Sequence, residues 1–280
     1  MKPFVILTSQ RTGSTYMRIW LNNHPEIRCH GEVFLCHYPH PDGYRAYCQQ
    51  NGLRRLLHAM YGSRVMRKLG ASHLSAGLSR SFLDKLLHDP AFPQPWVMAD
   101  QDHSLTVGDL PKPVVGFKLM YGHYFATPYV QRWLKEARVS IIHLTRRNLL
   151  ARYISSRKMR ISKVAHSTDG KPNIPPIRLD IKAMFQHFQN SHSLADGFRA
   201  RFQASNPFLE VVYEDFMADK SSTGQDIFTF LGVSVEPIQE AHLTKIGSNS
   251  LEAAVVNAAE VRSALQGTPY QEYLDDYPVG

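Results

Sequence analysis

Short, nearly unbroken apolar runs alternate with helical patterns along this chain. Phe4-Val5-Ile6-Leu7-Thr8, Val114–Lys118, Val139–Leu144 and Leu209–Tyr213 read as strands buried on both faces. A further short strand is expected just ahead of Gly31-Glu32, and Val97-Met98-Ala99 is another candidate. Between the runs, apolar residues recur at helical steps. Tyr16–Asn23 places Met17, Trp20 and Leu21 on one face and ends at His24-Pro25. Residues 53–69 carry a stripe of Leu53, Leu56, Leu57, Met60 and Tyr61. Helices are also expected over Ser81–His88, Pro128–Ala137, Asn148–Arg160 and Asp226–Leu231, with a long one from Ile181 to Phe202. The proline-rich residues 166–178 read as a mobile loop. Strand–helix alternation predicts an α/β fold: one domain over residues 1–280, a central parallel sheet flanked by helices, and a mostly helical insertion at about 35–110.

Composition narrows the class. With 43% hydrophobic and 20% charged residues, the chain is neither disordered, collagen-like nor a coiled coil. The apolar start turns polar by Thr8, too early for a signal-peptide core, and no later run is long enough to span a bilayer. The expectation is a soluble cytoplasmic protein. Cys29, Cys36 and Cys48 are an odd count, against a disulfide framework.

The net charge of +8 favours anionic partners. Its distribution says more. No acid falls between Asp42 and Asp84, where Arg45, Arg54, Arg55, Arg64, Arg67, Lys68 and Arg80 lie, and none between Thr145 and Lys163. Both stretches are candidate anion sites; solvated helix faces are the alternative.

The turn after the first run is the most informative. Ser9-Gln10-Arg11-Thr12-Gly13-Ser14-Thr15 joins a strand to a helix, an arrangement whose backbone N–H groups cradle a phosphate. Against the nucleotide-binding pattern G-x-x-x-x-G-K-[ST], Gly13 and Thr15 match, but Thr8 replaces the first glycine and Ser14 the lysine. The lost lysine disfavours an ordinary ATPase or kinase, and Arg11 supplies a cation inside the loop instead.

At these residues the sequence resembles the sulfotransferases that use 3′-phosphoadenosine-5′-phosphosulfate (PAPS). Phe4–Thr15, His24-Pro25 and Gly31-Glu32-Val33-Phe34 look like the bacterial carbohydrate branch, which contains the trehalose and nodulation-factor sulfotransferases. The resemblance implies that Arg11, Thr12, Gly13, Ser14 and Thr15 bind the 5′-phosphosulfate. It also implies a 3′-phosphate site made by an arginine at a strand end and a serine further on. Arg147 is eight residues before Ser155 and Arg146 nine. Arg146 is favoured because His-Leu-x-Arg-x-Asn-x-Leu fits the branch better; Arg147, Arg152 and Arg157 are read as surface helix charge. Tyr213, in Tyr213-Glu214-Asp215, is a candidate neighbour of the adenine, with an ordinary half-buried strand tyrosine as the alternative. Lys245–Asn249 is a looser candidate for contact with the nucleotide.

The implied reaction moves a sulfuryl group from PAPS to a hydroxyl of a carbohydrate, glycolipid or other glycoconjugate, leaving 3′,5′-phosphoadenosine (PAP). Arg11 would stabilise the departing oxygen without a metal. Glu32 matches the family's proposed general base, with His30 and His123 as weaker candidates. Lys118 matches a lysine near the acceptor. The basic stretch from Arg45 to Arg80 is read as an acceptor-side or anionic-membrane-facing surface, against a helix that simply packs on the core. Cys29, His30, Cys36, His37 and His40 do not have zinc-ligand spacing. The remaining alternatives are a P-loop-type kinase and a non-catalytic polyanion-binding module; the absence of a basic-aromatic RNA motif weakens nucleic acid as a partner.

Overall fold

The computed structural model describes residues 2–34, 43–49, 51–52, 54–55, 72–89, 112–162, 175–238, 250–275 and 277. The apolar runs become five parallel strands: β1 (Lys2–Thr8), β2 (Ile27–His30), β3 (Val114–Met120), β4 (Ser140–Thr145) and β5 (Phe208–Val212), in the order β2-β3-β1-β4-β5. Alternation sends Phe4 and Ile6 of β1 to one face, and Val5 and Leu7 to the other. Strand ends are level, with Thr8 opposite both Met120 and Leu144, and Thr145 opposite Val212. Every loop leaving a carboxyl end therefore opens onto one edge of the sheet. Because β1 lies between β3 and β4, the crossovers diverge at its carboxyl end, where parallel α/β sheets form a ligand crevice.

On the Phe4 side, α1 (Ser14–Asn22) packs with the helices that follow β5. Trp20 stacks on Phe228 at 5.4 Å and meets Phe216 edge-on at 5.1 Å. On the Val5 side lie the insertion helices α2 (Tyr44–Gln49) and α3 (Ser72–His88), and α4 (Tyr121–Ala126) and α5 (Pro128–Glu136) after β3. Phe34, Tyr47 and Phe82 join this core, so the described parts of the insertion share it with the sheet. After β4 comes α6 (Leu149–Ser162), then α7 (Ile181–Phe202), whose expected stripe buries Met184, Phe188, Phe198 and Phe202. Short α8 (Tyr213–Ala218) and longer α9 (Lys220–Leu231) follow β5. The tail forms α10 (Leu251–Ala254), α11 (Ala258–Leu265) and a 3₁₀ turn at Gln271–Leu274, packed on α6 and α7 through Leu150, Phe188, Val261 and Tyr273.

Several expectations change. α3 starts nine residues before Ser81. Tyr213 is not a strand residue but the first of α8, because backbone pairing ends at Val212. α4 was not anticipated: an aromatic run of six residues directly after a strand has no helical period to read. Of the proline-rich segment, 175–178 are described, and this end is anchored, with Ile177 buried and bridged to Val255. Most of the helix expected at 53–69, the strand at Val97-Ala99, the cysteine and histidines at 36, 37 and 40, and Lys245–Asn249 lie outside the described residues. No helix among the described residues is long and apolar enough to cross a membrane.

Candidate active site

The loop after β1 is held by its own hydroxyls. Thr8 Oγ1 donates to the Leu144 carbonyl at 2.7 Å, fastening the loop's base to β4. Thr12 Oγ1 lies 2.5 Å from it and donates to the Ser9 carbonyl at 2.9 Å. The chain then turns through two left-handed residues, Arg11 at φ +64° and Gly13 at φ +83°. A non-glycine residue at positive φ is uncommon and costs energy that the surroundings must repay. At Gly13 the constraint is doubled, since a Cβ there would come within 2.1 Å of the Tyr213 ring. Gly13 is also the N-cap of α1 and offers no side-chain cap. The first helical bond runs from the Met17 amide to the Gly13 carbonyl at 3.1 Å, so the amides of Ser14, Thr15 and Tyr16 point toward the crevice with the positive end of the helix dipole.

Two clusters flank this loop. On the β3 side, Lys118 is buried, with Nζ donating to Thr15 Oγ1 at 3.0 Å and to Glu32 Oε1 at 3.3 Å. Burial lowers the Lys118 pKa, and the Glu32 carboxylate pulls it back up. Glu32 follows β2 directly and keeps 23% of its side chain exposed, so its carboxylate is tethered yet reachable. Its ion pair is with Lys118. His30 is buried, its Nε2 has no hydrogen-bond partner, and burial pushes its pKa down to about 3. A group that weakly basic is a poor proton acceptor near neutrality. His123 lies in the last turn of α4.

On the β4 side, Arg11 reaches out of the loop and Nε donates to Ser155 Oγ at 2.9 Å. Arg146 Nη1 donates to the Arg11 carbonyl at 3.1 Å, and its guanidinium lies 5.1 Å from the centre of the Tyr213 ring. Its Nε is within ion-pair range of Glu214, at 3.5 Å, but without hydrogen-bond geometry, and that buried N–H has no hydrogen-bond partner among the described residues. Burial and the nearby Arg146 both lower the Arg11 pKa, with Glu32 opposing.

The two arginines that spacing left open are thus separated by their surroundings. Arg146 points inward, with 14% of its side chain exposed; Arg147 is half exposed and forms a bidentate pair with Asp215 at 2.7 and 2.8 Å. Glu214 accepts from the amides of Arg147 at 2.8 Å and Asn148 at 3.2 Å, capping the turn into α6. Tyr213-Glu214-Asp215 therefore shapes the Arg-Arg-Asn turn as well as placing the aromatic ring against the loop. That role of the two acids is not visible from spacing.

One reading is corrected. Arg157 is exposed, as expected, but Arg152 is only 8% exposed. It donates to Ser9 Oγ at 2.6 Å, to His187 Nε2 at 3.1 Å, and to Ser191 Oγ. Its direction is set by α7, far along the chain, so the local basic pattern could not reveal it.

In the basic stretch before Asp84, Arg54 lies over the Tyr47 ring at 4.1 Å and Arg80 sits 3.9 Å from exposed Asp84. Arg64, Arg67 and Lys68 fall outside the described residues.

Among curated proteins, no sequence matches this chain. Among solved structures, a sulfotransferase from Alicyclobacillus acidocaldarius is similar at 11% identity, covering 99% of this chain and 94% of its own, with a TM-score of 0.45. The sulfotransferase domain from the curacin biosynthetic pathway is similar at 13% identity, covering 100% and 99%, with a TM-score of 0.45. A sulfotransferase from Mycobacterium tuberculosis H37Rv is similar at 17% identity, covering 95% and 76%, with a TM-score of 0.37. The model of the sulfotransferase family matches residues 3–237, a span from β1 through both flanking clusters to the end of α9, and the chain belongs to that family.

Proposed function

We propose that the protein transfers a sulfuryl group from PAPS to a hydroxyl of a carbohydrate or glycoconjugate acceptor. The observation that supports it most is the 2.9 Å bond between Arg11 and Ser155. It draws the loop after β1 and the helix after β4 together, bringing Arg11, Arg146 and Ser155 to one place. The donor atoms suit such a nucleotide. The uncapped start of α1 and Arg11 fit a 5′-phosphosulfate, while Ser155 and the unpartnered Nε–H of Arg146 fit a 3′-phosphate. Tyr213 lies between Gly13 and Arg146 and would contact the base.

PAPS supplies the activated sulfuryl group; this chain's residues do the rest. Glu32 takes the proton of the acceptor hydroxyl as its oxygen bonds to sulfur. Lys118 holds the carboxylate beside Thr15 and so beside the loop. The bond from sulfur to the bridging oxygen breaks, and its electron pair stays on that oxygen. Arg11 and the amides of Ser14 and Thr15 stabilise the resulting charge, with no metal in the scheme. The carbohydrate reading rests on the resemblance around Gly31-Glu32.

Thermal shift with PAP, ADP and ATP side by side tests the donor class. Selective stabilisation by PAP, growing with its concentration, is expected. Preference for ATP with magnesium would replace this reading with a kinase.

A further inference from the structure

Behind the loop, on the side of α7, lies a cavity of about 210 Å³. Ser9, Arg146, Arg152, Ser191, His192 and Arg199 are among its lining residues. Its cations are not equally balanced. Arg199 is neutralised by Asp196 and Glu210, which also line the cavity, through contacts of 2.5 and 2.6 Å. Arg147 has Asp215, and Arg146 is near Glu214. Arg152 has no carboxylate partner among the described residues. Its hydrogen bonds go to two serine hydroxyls and an imidazole.

None of these partners carries compensating charge. Burial, with Arg152 and Arg160 nearby, pushes the His187 pKa down to about 4, so its Nε2 accepts as a neutral ring. Ser191 Oγ donates its own hydrogen bond to the His187 carbonyl at 2.5 Å. Arg152 is itself lowered by burial to about 10 and remains charged at neutral pH. A buried charge without a counter-charge is costly, and proteins keep one where something else supplies the opposite sign.

We propose that this cavity is a second anion subsite, in which Arg152 and Ser9 hold a phosphate, sulfate or carboxylate group carried by the acceptor. The cavity borders the nucleotide crevice at Arg146, which lines it while sending Nη1 to the Arg11 carbonyl; its far end, at Arg152 and α7, is set apart by the wall it belongs to. The α7 wall belongs to the core on the Val5 side of the sheet, through Phe198 and Phe202, whereas Tyr213 packs on the opposite side. The volume exceeds several times the roughly 30 Å³ share of a water, enough for a tetrahedral oxyanion and the carbon that bears it. Ser9 belongs to the loop itself, so an anion bound here sits next to the reacting group. The inference rests on the sulfuryl-transfer reading for the anion's carrier, not for the existence of the subsite.

Calorimetric titration of inorganic sulfate into the full chain saturated with PAP tests it. Saturable sulfate binding in the presence of PAP is expected. Arg152→Gln should weaken that binding at least about tenfold, as loss of a charge-assisted contact does, with PAP affinity changed less than about threefold. Ser9→Ala should weaken sulfate severalfold and serves if Arg152→Gln does not fold. The subsite is overturned if sulfate fails to bind beside PAP, if both variants bind it as the wild type does, or if Arg152→Gln loses PAP and sulfate equally. Should PAP not bind the wild type at all, the donor reading fails alone. Sulfate binding to the unliganded protein that is lost in Arg152→Gln but kept in Arg146→Gln would still uphold the subsite.

Discussion

The two flanks of the loop after β1 are built on opposite principles. On the β3 side a buried ammonium and a carboxylate are in contact, Lys118 with Glu32 at 3.3 Å. On the β4 side guanidinium groups crowd one another, since Arg146 lowers the pKa of both Arg11 and Arg152. Glu32 is held by a single ammonium and stays partly exposed, whereas Glu214 and Asp215 on the other flank are spent on the Arg147–Asn148 turn, and Arg152 has no carboxylate bond among the described residues. A flank of mutually repelling cations is relieved when anions arrive. Under the proposed reaction, the first flank would remove the proton and the second would bind the anions.

Removing the carboxylate should break the first flank alone. Glu32→Gln preserves shape and is expected to lower turnover by roughly 10²–10⁴-fold. PAP affinity, measured calorimetrically, should stay unchanged; a parallel loss of PAP binding would merge the two flanks into one.

The joint between them is Gly13. Gly13→Ala must leave a left-handed conformation and collide with Tyr213, and a loss of roughly 3 kcal/mol in stability is expected by denaturant unfolding. Adding Tyr213→Ala should recover part of it, because the clash is pairwise.

Arg146→Ala and Ser155→Ala sharpen the second flank. Each should weaken PAP by roughly 1.5–3 kcal/mol while leaving AMP nearly untouched. Equal losses for the two nucleotides would show that this pair does not read the 3′-phosphate.

The smallest effect should come from the neighbour. Arg147→Ala removes a half-exposed pair with Asp215, and such pairs contribute about 0–1 kcal/mol. PAP affinity within about twofold of wild type is expected; a larger loss would reverse the assignment of the two arginines.

Much of this arrangement is legible in the sequence. β1, its loop and α1 follow from an apolar run, small hydroxylated residues and one glycine, all local in sequence. The long stripe from Ile181 to Phe202 is equally local, and α7 has those same ends. What was not readable depends on distant partners. Eight- and nine-residue spacings to Ser155 both suit the first turns of a helix, and only Glu214 and Asp215 of another turn decide which arginine faces in. Arg152 looked like its exposed neighbour Arg157 until Ser191 and His187 on α7 claimed it. Tyr213 starts a helix because strand pairing ends at Val212, and its two acids then bond the distant β4 turn.

The close approach of Gly13 and Tyr213 also constrains how this sequence can drift. A backbone at φ +83° admits asparagine as well as glycine on conformational grounds. The ring 2.1 Å from a would-be Cβ withdraws that option. Position 213 must therefore shrink before position 13 can vary, and a lineage that attempts the steps in the reverse order passes through a damaged loop. The tyrosine fixes not only a contact but the order in which its neighbourhood can evolve.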